Sequence, residues 1–253
     1  MLKAILFDLD NTLIDFMRFK RETAKAAAKA MVEKGLPDTV PNVYRKIFQT
    51  YDRYGIEYQK TFYRVVKSYR NRKLETGNRE HIQQAAIIAY LKRKFSVLRS
   101  YPSVKPVLEK LGKRFRLGIV TDAPRNKAWQ RLVLCGLDGM FEFVVTADDA
   151  GKKKPHRAPF RMALERVNVE PSEVLFVGDN PGRDMEGAKR MGMKTCLAEY
   201  GLAGRGKRGT GNWMAETRKV SASYREAIQK RKTGRARPDY RIRGFGELDR
   251  ILK

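Results

Sequence analysis

The sequence has few of the features that would place a protein in a membrane or an oxidising compartment. Its 253 residues contain no run of 18 or more apolar residues, so we expect no membrane span. The N-terminus enters a strand pattern directly, without the apolar region of a signal peptide. Cys135 and Cys196 lie far apart and outside any CxxC motif. We therefore expect reduced core cysteines and a cytoplasmic protein, with a reactive thiol as the alternative.

Acidic residues are scarce relative to basic ones. The chain has 28 Asp and Glu against 54 Lys and Arg, which gives a formal net charge of +26 and a pI near 10.2. Residues 16–100 hold 20 basic and 7 acidic side chains, and residues 201–253 hold 15 and 5. A field of this sign attracts polyanions and phosphorylated solutes. A solvated surface suited to solubility or high temperature would give the same composition.

The remaining pattern is that of an α/β protein. Residues 4–8 form a continuous apolar run, which is typical of a strand buried in a parallel sheet. After residue 100, strand and helix patterns alternate, which predicts βα units and a doubly wound, Rossmann-like parallel sheet. The predicted strands are 4–8, 116–122, 141–147, 173–179 and 194–199, with a short edge strand from residue 240.

A helical module interrupts this sheet after its first strand. Residues 16–100 contain four helical patterns, at 18–35, 42–55, 56–71 and 80–98. We therefore predict an inserted helical domain at 16–100 and a core made of residues 1–15 and 101–253. Its aromatic residues are predicted to pack in a core; they include Tyr58, Phe62, Tyr69 and Phe95. Residues 201–238 are read as a basic, Gly-rich insertion within the core.

Polar residues follow four of the predicted strands. They are Asp8 and Asp10, then Thr121 and Asp122, then Lys154, and finally Asp179 and Asp184. The carboxyl ends of parallel strands meet at one edge of a sheet, where ligands bind. Carboxylates gathered there would repel one another without a divalent cation, and oxygen ligands in this number suit Mg²⁺. A lysine and a hydroxyl at the same edge can hold phosphate oxygens.

This set of motifs resembles the haloacid dehalogenase-like hydrolase superfamily. The matching segments are "DLDNTL" (8–13), "IVTDA" (119–123), "KKPHRAPF" (153–160) and "GDNPGRD" (178–184). The first motif alone is weak, but the four together, each after a predicted strand and in the right order, are specific. The resemblance covers residues 1–200 and the closing segment. It implies the α/β core of that family, with residues 16–100 as a C1-type cap.

The resemblance also implies a phosphatase mechanism. Asp8 would attack phosphorus and form an aspartyl-phosphate, and Asp10 would protonate the leaving oxygen and then deprotonate the hydrolytic water. Thr121 and Lys154 would bind the transferring phosphoryl oxygens, and Asp8 and Asp122 complete the predicted phosphate-binding set. Mg²⁺ would be held by Asp8, the backbone carbonyl of Asp10, Asp179 and, in support, Asp184. Asp122 suits a turn or cap better than catalysis, and for Asp184 the alternative is an N-cap.

The motifs leave several functions open. Asp10 argues against the dehalogenase branch, which needs neither a second acid nor a metal, and the lack of membrane spans argues against the ATPase branch. We predict a phosphatase for a small phosphorylated metabolite, with a phosphomutase as the alternative. A nucleic-acid-binding protein or nucleic-acid phosphatase is a second alternative, because Trp213, Tyr224 and Tyr240 lie among basic residues. The motifs do not indicate the oligomeric state.

Overall fold

The computed structural model describes residues 1–69, 76–202 and 236–252, which divide into two units. The first unit contains residues 1–16, 98–202 and 236–252 of the described chain. The second contains residues 17–69 and 76–97. The assignment of the helical insertion as a C1-type cap stays a prediction. Most of the basic insertion predicted at 201–238, with Trp213 and Tyr224, lies outside the described residues.

The first unit is built on a parallel sheet in the order β3-β2-β1-β4-β5-β6. Its strands are β1 (Ala4–Phe7), β2 (Arg116–Val120), β3 (Phe143–Val145), β4 (Val174–Gly178), β5 (Lys194–Ala198) and β6 (Tyr240–Ile242). All five strand pairings are parallel, and β1 lies between β2 and β4. The predicted α/β class with a doubly wound parallel sheet is thus confirmed.

The second unit is helical. Its helices are α1 (Phe16–Glu33, beginning at the last residue of the first unit), α2 (Val40–Tyr54), α3 (Thr61–Lys67) and α4 (Thr76–Val97). The prediction that Phe95 packs in a core is wrong, because its side chain is 57% exposed. Phe95 lies thirteen positions after the buried Ile82 on α4, about 220° around the helix axis. Tyr69 is buried as predicted, and Tyr58 and Phe62 are half-buried.

The described residues of the first unit form seven further helices. They are α5 (Val104–Leu111), α6 (Arg125–Cys135), α7 (Ala147–Ala150), α8 (Arg157–Val167), α9 (Glu186–Arg190), α10 (Glu199–Leu202) and α11 (Glu247–Ile251). Successive side chains of a strand point to opposite faces of a sheet, so β1 and β4 each contribute to two cores. Leu6 and Phe176 join Phe160 of α8 in one of them, and the rings of Phe160 and Phe176 are 5.2 Å apart. Phe7 packs against Phe245, with ring centroids 5.8 Å apart.

The two cysteines are free thiols. Burial raises the pKa of Cys135 to about 11 and that of Cys196 to about 12. Both therefore stay protonated near neutral pH, which disfavours the reactive-thiol alternative. Within the described part of the chain, no helix is both long and apolar enough to cross a bilayer.

Candidate active site

The ends of the three central strands place acidic and hydroxyl side chains next to one another. Asp8 follows β1, Thr121 follows β2 and Asp179 follows β4, and β1 pairs with both of the other strands. The backbone amide of Asp8 donates to the carbonyl of Val177, which continues the β1–β4 pairing past the end of β1. All three side chains are buried. The predicted convergence of these residues at one edge of the sheet is therefore observed.

Three carboxylates meet at this edge. One oxygen from each of Asp8, Asp179 and Asp184 lies within 4.8 Å of the other two, and all three residues are buried. Mg²⁺ bound octahedrally at 2.0–2.1 Å holds neighbouring ligand oxygens about 3 Å apart and opposite ones about 4 Å apart. Three clustered carboxylate oxygens thus have the chemistry that Mg²⁺ prefers, and they are close enough to supply part of the coordination shell of one ion.

Lys154 supplies positive charge to the same cluster. Its Nζ lies 2.7 Å from Asp8 Oδ1, 2.7 Å from Asp184 Oδ1 and 2.9 Å from the carbonyl oxygen of Val120. The lysine is 4% exposed. Burial opposes the charged ammonium, but the carboxylates of Asp184 and Asp8 outweigh it and raise the Lys154 pKa. The ammonium is therefore retained near neutral pH, although it is enclosed by protein.

One ammonium does not balance three carboxylates. Burial, together with the charges of Asp184 and Asp179, raises the pKa of Asp8 well above its usual value, although Lys154 acts in the opposite direction. A divalent cation among the carboxylates would favour the ionised form of Asp8. An ionised, desolvated carboxylate at a strand end is the chemical form that can act as a nucleophile.

Asp184 owes its position to a turn of π-helix over Pro181–Met185. The side chain of Asn180 caps this turn by accepting from the backbone amides of Gly182 and Arg183. Asp184 Oδ2 accepts in turn from the backbone amide of Asn180 at 2.9 Å. Asp184 therefore does not N-cap the following helix, and the N-cap alternative for this residue is wrong. A Cβ on Gly178 would lie 2.5 Å from Asp184 Oδ2, so glycine is required at the end of β4.

Asp122 holds two other parts of the site in place. Its Oδ1 accepts from the backbone amide of Lys154 at 2.9 Å, and its Oδ2 pairs with Arg183 Nη1 at 2.9 Å. The carboxylate is thus engaged by protein groups, and its predicted contact with phosphate stays a prediction. Thr121 is 2% exposed, and its Oγ1 accepts from the backbone amide of Ala123 at 3.2 Å. Its hydroxyl hydrogen is thereby left to donate elsewhere.

Asp10 lies apart from the three clustered carboxylates. In the described chain, the group of acidic side chains spaced for a metal ion comprises Asp8, Asp179 and Asp184 without Asp10. Asp10 Oδ2 instead accepts from Arg131 Nη1 at 2.6 Å. The predicted metal contact of Asp10 was through its backbone carbonyl and stays a prediction.

Arg131 and Arg183 were missed by sequence reasoning, as were Tyr200 and Gly201. The Tyr200 hydroxyl donates to the carbonyl oxygen of Thr12 at 2.7 Å, and a Cβ on Gly201 would come within 2.0 Å of the Asn11 carbonyl oxygen. α10 therefore packs directly against the loop that follows Asp8. The one signal for Arg131 was its place three residues after Ala128 on an otherwise apolar helix face.

Comparison with known proteins gives matches over most of the chain. A family model described as haloacid dehalogenase-like hydrolase matches residues 5–198. A glyceraldehyde 3-phosphate phosphatase of Pyrococcus abyssi is 36% identical over 202 residues, which are 79% of this chain and 83% of the relative. A phosphoglycolate phosphatase of Aquifex aeolicus is 32% identical over 202 residues, which are 79% of this chain and 85% of the relative.

Solved structures match the whole chain at lower identity. A Thermotoga maritima protein described as a β-phosphoglucomutase superposes with a TM-score of 0.67 at 20% identity, over 99% of this chain and 98% of its own. The HAD-hydrolase YfnB of Bacillus subtilis, solved bound to magnesium, superposes with a TM-score of 0.62 at 19% identity, with the same coverage of both chains. At this level of identity the likeness is one of fold.

Proposed function

Because the chain belongs to the haloacid dehalogenase-like hydrolase family, we propose that it is a magnesium-dependent phosphatase that works through an aspartyl-phosphate. The family and its phosphatase relatives confirm the predicted enzyme class, a hydrolase of phosphate monoesters. The metal, the intermediate and the substrate are proposals. The observation that supports them is the buried cluster of Asp8, Asp179 and Asp184, in which the ammonium of Lys154 contacts Asp8 and Asp184.

In this proposal Asp8 is the nucleophile. One oxygen of its carboxylate bonds to phosphorus as the bond from phosphorus to the leaving oxygen breaks, and Asp10 gives a proton to that oxygen. Water then attacks the phosphorus of the aspartyl-phosphate, and Asp10 takes the proton from the water. This second step releases inorganic phosphate and returns both aspartates to their starting forms.

The other residues hold charge in place during this transfer. Lys154 contacts Asp8 directly and faces the developing charge on the phosphoryl oxygens, and Thr121 offers a hydroxyl hydrogen to the same group. Asp179 and Asp184 would hold Mg²⁺ together with Asp8. The ion supplies electrostatic stabilisation of the transferring phosphoryl group when it is bound.

We propose a phosphorylated metabolite of two or three carbons as the substrate. The support is that relatives at 36% and 32% identity are named for glyceraldehyde 3-phosphate and phosphoglycolate. A phosphomutase would share all four motifs, so it remains an alternative. A nucleic-acid substrate or partner and the cytoplasmic location stay predictions.

The test is the release of inorganic phosphate from a panel of phosphate monoesters, with and without Mg²⁺. We expect release from two- and three-carbon phosphoesters with Mg²⁺, and loss of at least about 100-fold with a chelator. Asp8→Asn should abolish turnover because its amide cannot form the intermediate, and it should leave the circular dichroism spectrum unchanged. Asp138→Asn, at an acidic residue outside the cluster, is the control.

Three outcomes would contradict the proposal. Robust turnover by Asp8→Asn would exclude the covalent step. Full activity in the presence of a chelator would exclude the metal. Transfer of phosphate to a second hydroxyl of a sugar phosphate, without release of inorganic phosphate, would favour the phosphomutase.

A further inference from the structure

A buried arginine lies beside the proposed active site. Arg131, on α6, is 3% exposed, and burial of a guanidinium is costly unless the group is paired. The other buried residues of this helix, Ala128 and Leu132, are apolar and form an ordinary core face. A lysine or arginine that served only solubility would lie on the exposed face of α6 instead.

The guanidinium of Arg131 faces the chain segment that follows the nucleophile. Its Nη1 donates to Asp10 Oδ2 at 2.6 Å, which makes a charge-assisted hydrogen bond. Its central carbon lies 4.6 Å from the ring centroid of Phe16. Arg131 thus packs on an aromatic ring while it binds the carboxylate, and these two contacts fix the plane of the guanidinium.

The side chain of Asp10 is held by one that is more deeply buried. It is 22% exposed, whereas the side chain of Arg131 is 3% exposed. The contact spans 121 positions of sequence, so it ties α6 to the loop between β1 and α1. A carboxyl group restrained in this way loses the freedom to rotate.

We propose that Arg131 is a positioning residue: by binding Asp10 Oδ2 it holds the Asp10 carboxyl group, which enters the step protonated, where its proton can pass to the leaving oxygen. This inference rests on the proposed function. In the step concerned, the bond between phosphorus and the leaving oxygen breaks, Asp8 bonds to phosphorus, and the proton of Asp10 moves to the leaving oxygen. Misplacement of a reacting group by about 1 Å can cost about 100-fold in rate.

Leaving-group chemistry separates this role from a merely structural one. An alkoxide leaves phosphorus slowly unless it is protonated, whereas p-nitrophenolate is stable enough to leave without a proton. Since kcat/KM reports the steps up to the first irreversible one, it follows transfer to Asp8 rather than the later hydrolysis. Replacing a residue that acts through Asp10 should therefore lower kcat/KM strongly for an alkyl phosphate and only slightly for p-nitrophenyl phosphate.

The experiment compares kcat/KM on these two substrates, with glycerol 3-phosphate as the alkyl phosphate. We expect Arg131→Met to lower kcat/KM about 10- to 100-fold for glycerol 3-phosphate and less than about 5-fold for p-nitrophenyl phosphate. Arg131→Lys keeps the charge and should recover part of the loss. Arg161→Met, which removes an exposed guanidinium on α8, should change neither value.

A double variant tests whether Arg131 acts through Asp10. Asp10→Asn alone should show the same substrate-selective loss, and adding Arg131→Met to it should cause little further loss, because residues that act as a unit are non-additive. Equal losses on both substrates, or full additivity with Asp10→Asn, would overturn the positioning role and leave the phosphatase intact. Failure of the wild-type protein to hydrolyse either substrate would overturn the proposed function, and this inference with it.

Discussion

Lys154 is the single residue on which the charge balance of the site depends most directly. Its ammonium contacts Asp8 and Asp184, and both carboxylates are buried in protein rather than in water. Removing one partner from a buried ion pair leaves an uncompensated charge, which costs about 3–5 kcal/mol. Replacing Lys154 should therefore change both the stability of the fold and the charge balance of the site.

Replacement of this lysine is the residue-scale prediction. We expect Lys154→Met to lower kcat by at least about 100-fold, because it removes an electrostatic contact with the transferring group. Its free energy of unfolding at pH 7 without Mg²⁺ should fall by about 3–5 kcal/mol, measured by urea denaturation. Lys153→Met, at the exposed neighbour, is the matched control. Wild-type turnover by Lys154→Met would show that the ammonium does not take part.

The strand-end residues of the site could be predicted from sequence, and the arginines could not. Asp8, Thr121 and Asp179 each follow a recognisable apolar run, and parallel topology then brings them together. Arg131 reaches the site from α6 and Arg183 from the turn after β4, through contacts that span 121 and 61 positions of sequence. No local pattern encodes such a contact, because a side chain's direction depends on how its helix packs.

At the scale of elements, the boundaries of the strands were easier to predict than those of the helices. The five longer predicted strands lie within one or two residues of those observed, because a strand buried on both faces is a continuous apolar run that ends at a polar residue. The helix predicted at 56–71 spans only Thr61–Lys67. Between Gly55 and Thr61 the chain turns, and the backbone amide of Tyr58 donates to the carbonyl oxygen of Gly55. The composition of residues 56–71 favours a helix over the whole segment, so this turn could not be predicted from it.

The start of α2 is joined to the segment after α3 by a carboxylate. Asp38 Oδ1 accepts from the backbone amide of Thr39 and from Asn42, and its Oδ2 accepts from the Tyr69 hydroxyl at 2.6 Å. Lys46 Nζ lies 3.6 Å from Asp38 Oδ2. Burial alone would raise the pKa of Asp38, but these hydrogen bonds prevail and lower it to about 2. Asp38 therefore stabilises the helical unit in its ionised form.

The element-scale prediction is a pH-dependent loss of stability on replacing Asp38. A pKa that is lower in the folded than in the unfolded chain adds stability above the unfolded pKa near 3.8, and this stability is lost as pH falls through 2. We expect Asp38→Asn to lower the free energy of unfolding by roughly 1–2 kcal/mol at pH 7 and by much less at pH 2.5. Tyr69→Phe should show a smaller effect with the same sign, and a pH-independent difference would contradict the assignment.

At the scale of the whole molecule, the net charge of +26 must act on any phosphorylated substrate. A phosphate monoester carries up to two negative charges near neutral pH, so the field of the protein favours its approach. Part of the basic excess lies on residues 16–100 and part on 201–253, a range only partly described by the structure. The basic excess can be read directly from the sequence, and its effect on the approach of substrate can be measured.

Ionic strength provides the test of this field. Between 20 and 200 mM KCl at fixed Mg²⁺, we expect kcat/KM for a phosphate monoester to fall roughly 3- to 10-fold, because salt screens the approach of the anion. The value of kcat should stay nearly constant, because the bound substrate lies among buried groups that salt screens little. A flat kcat/KM would mean that the positive charge is a solvated surface without influence on catalysis. Tight binding of single-stranded DNA, with affinity falling steeply over the same salt range, would instead favour a polyanionic partner for the basic segments.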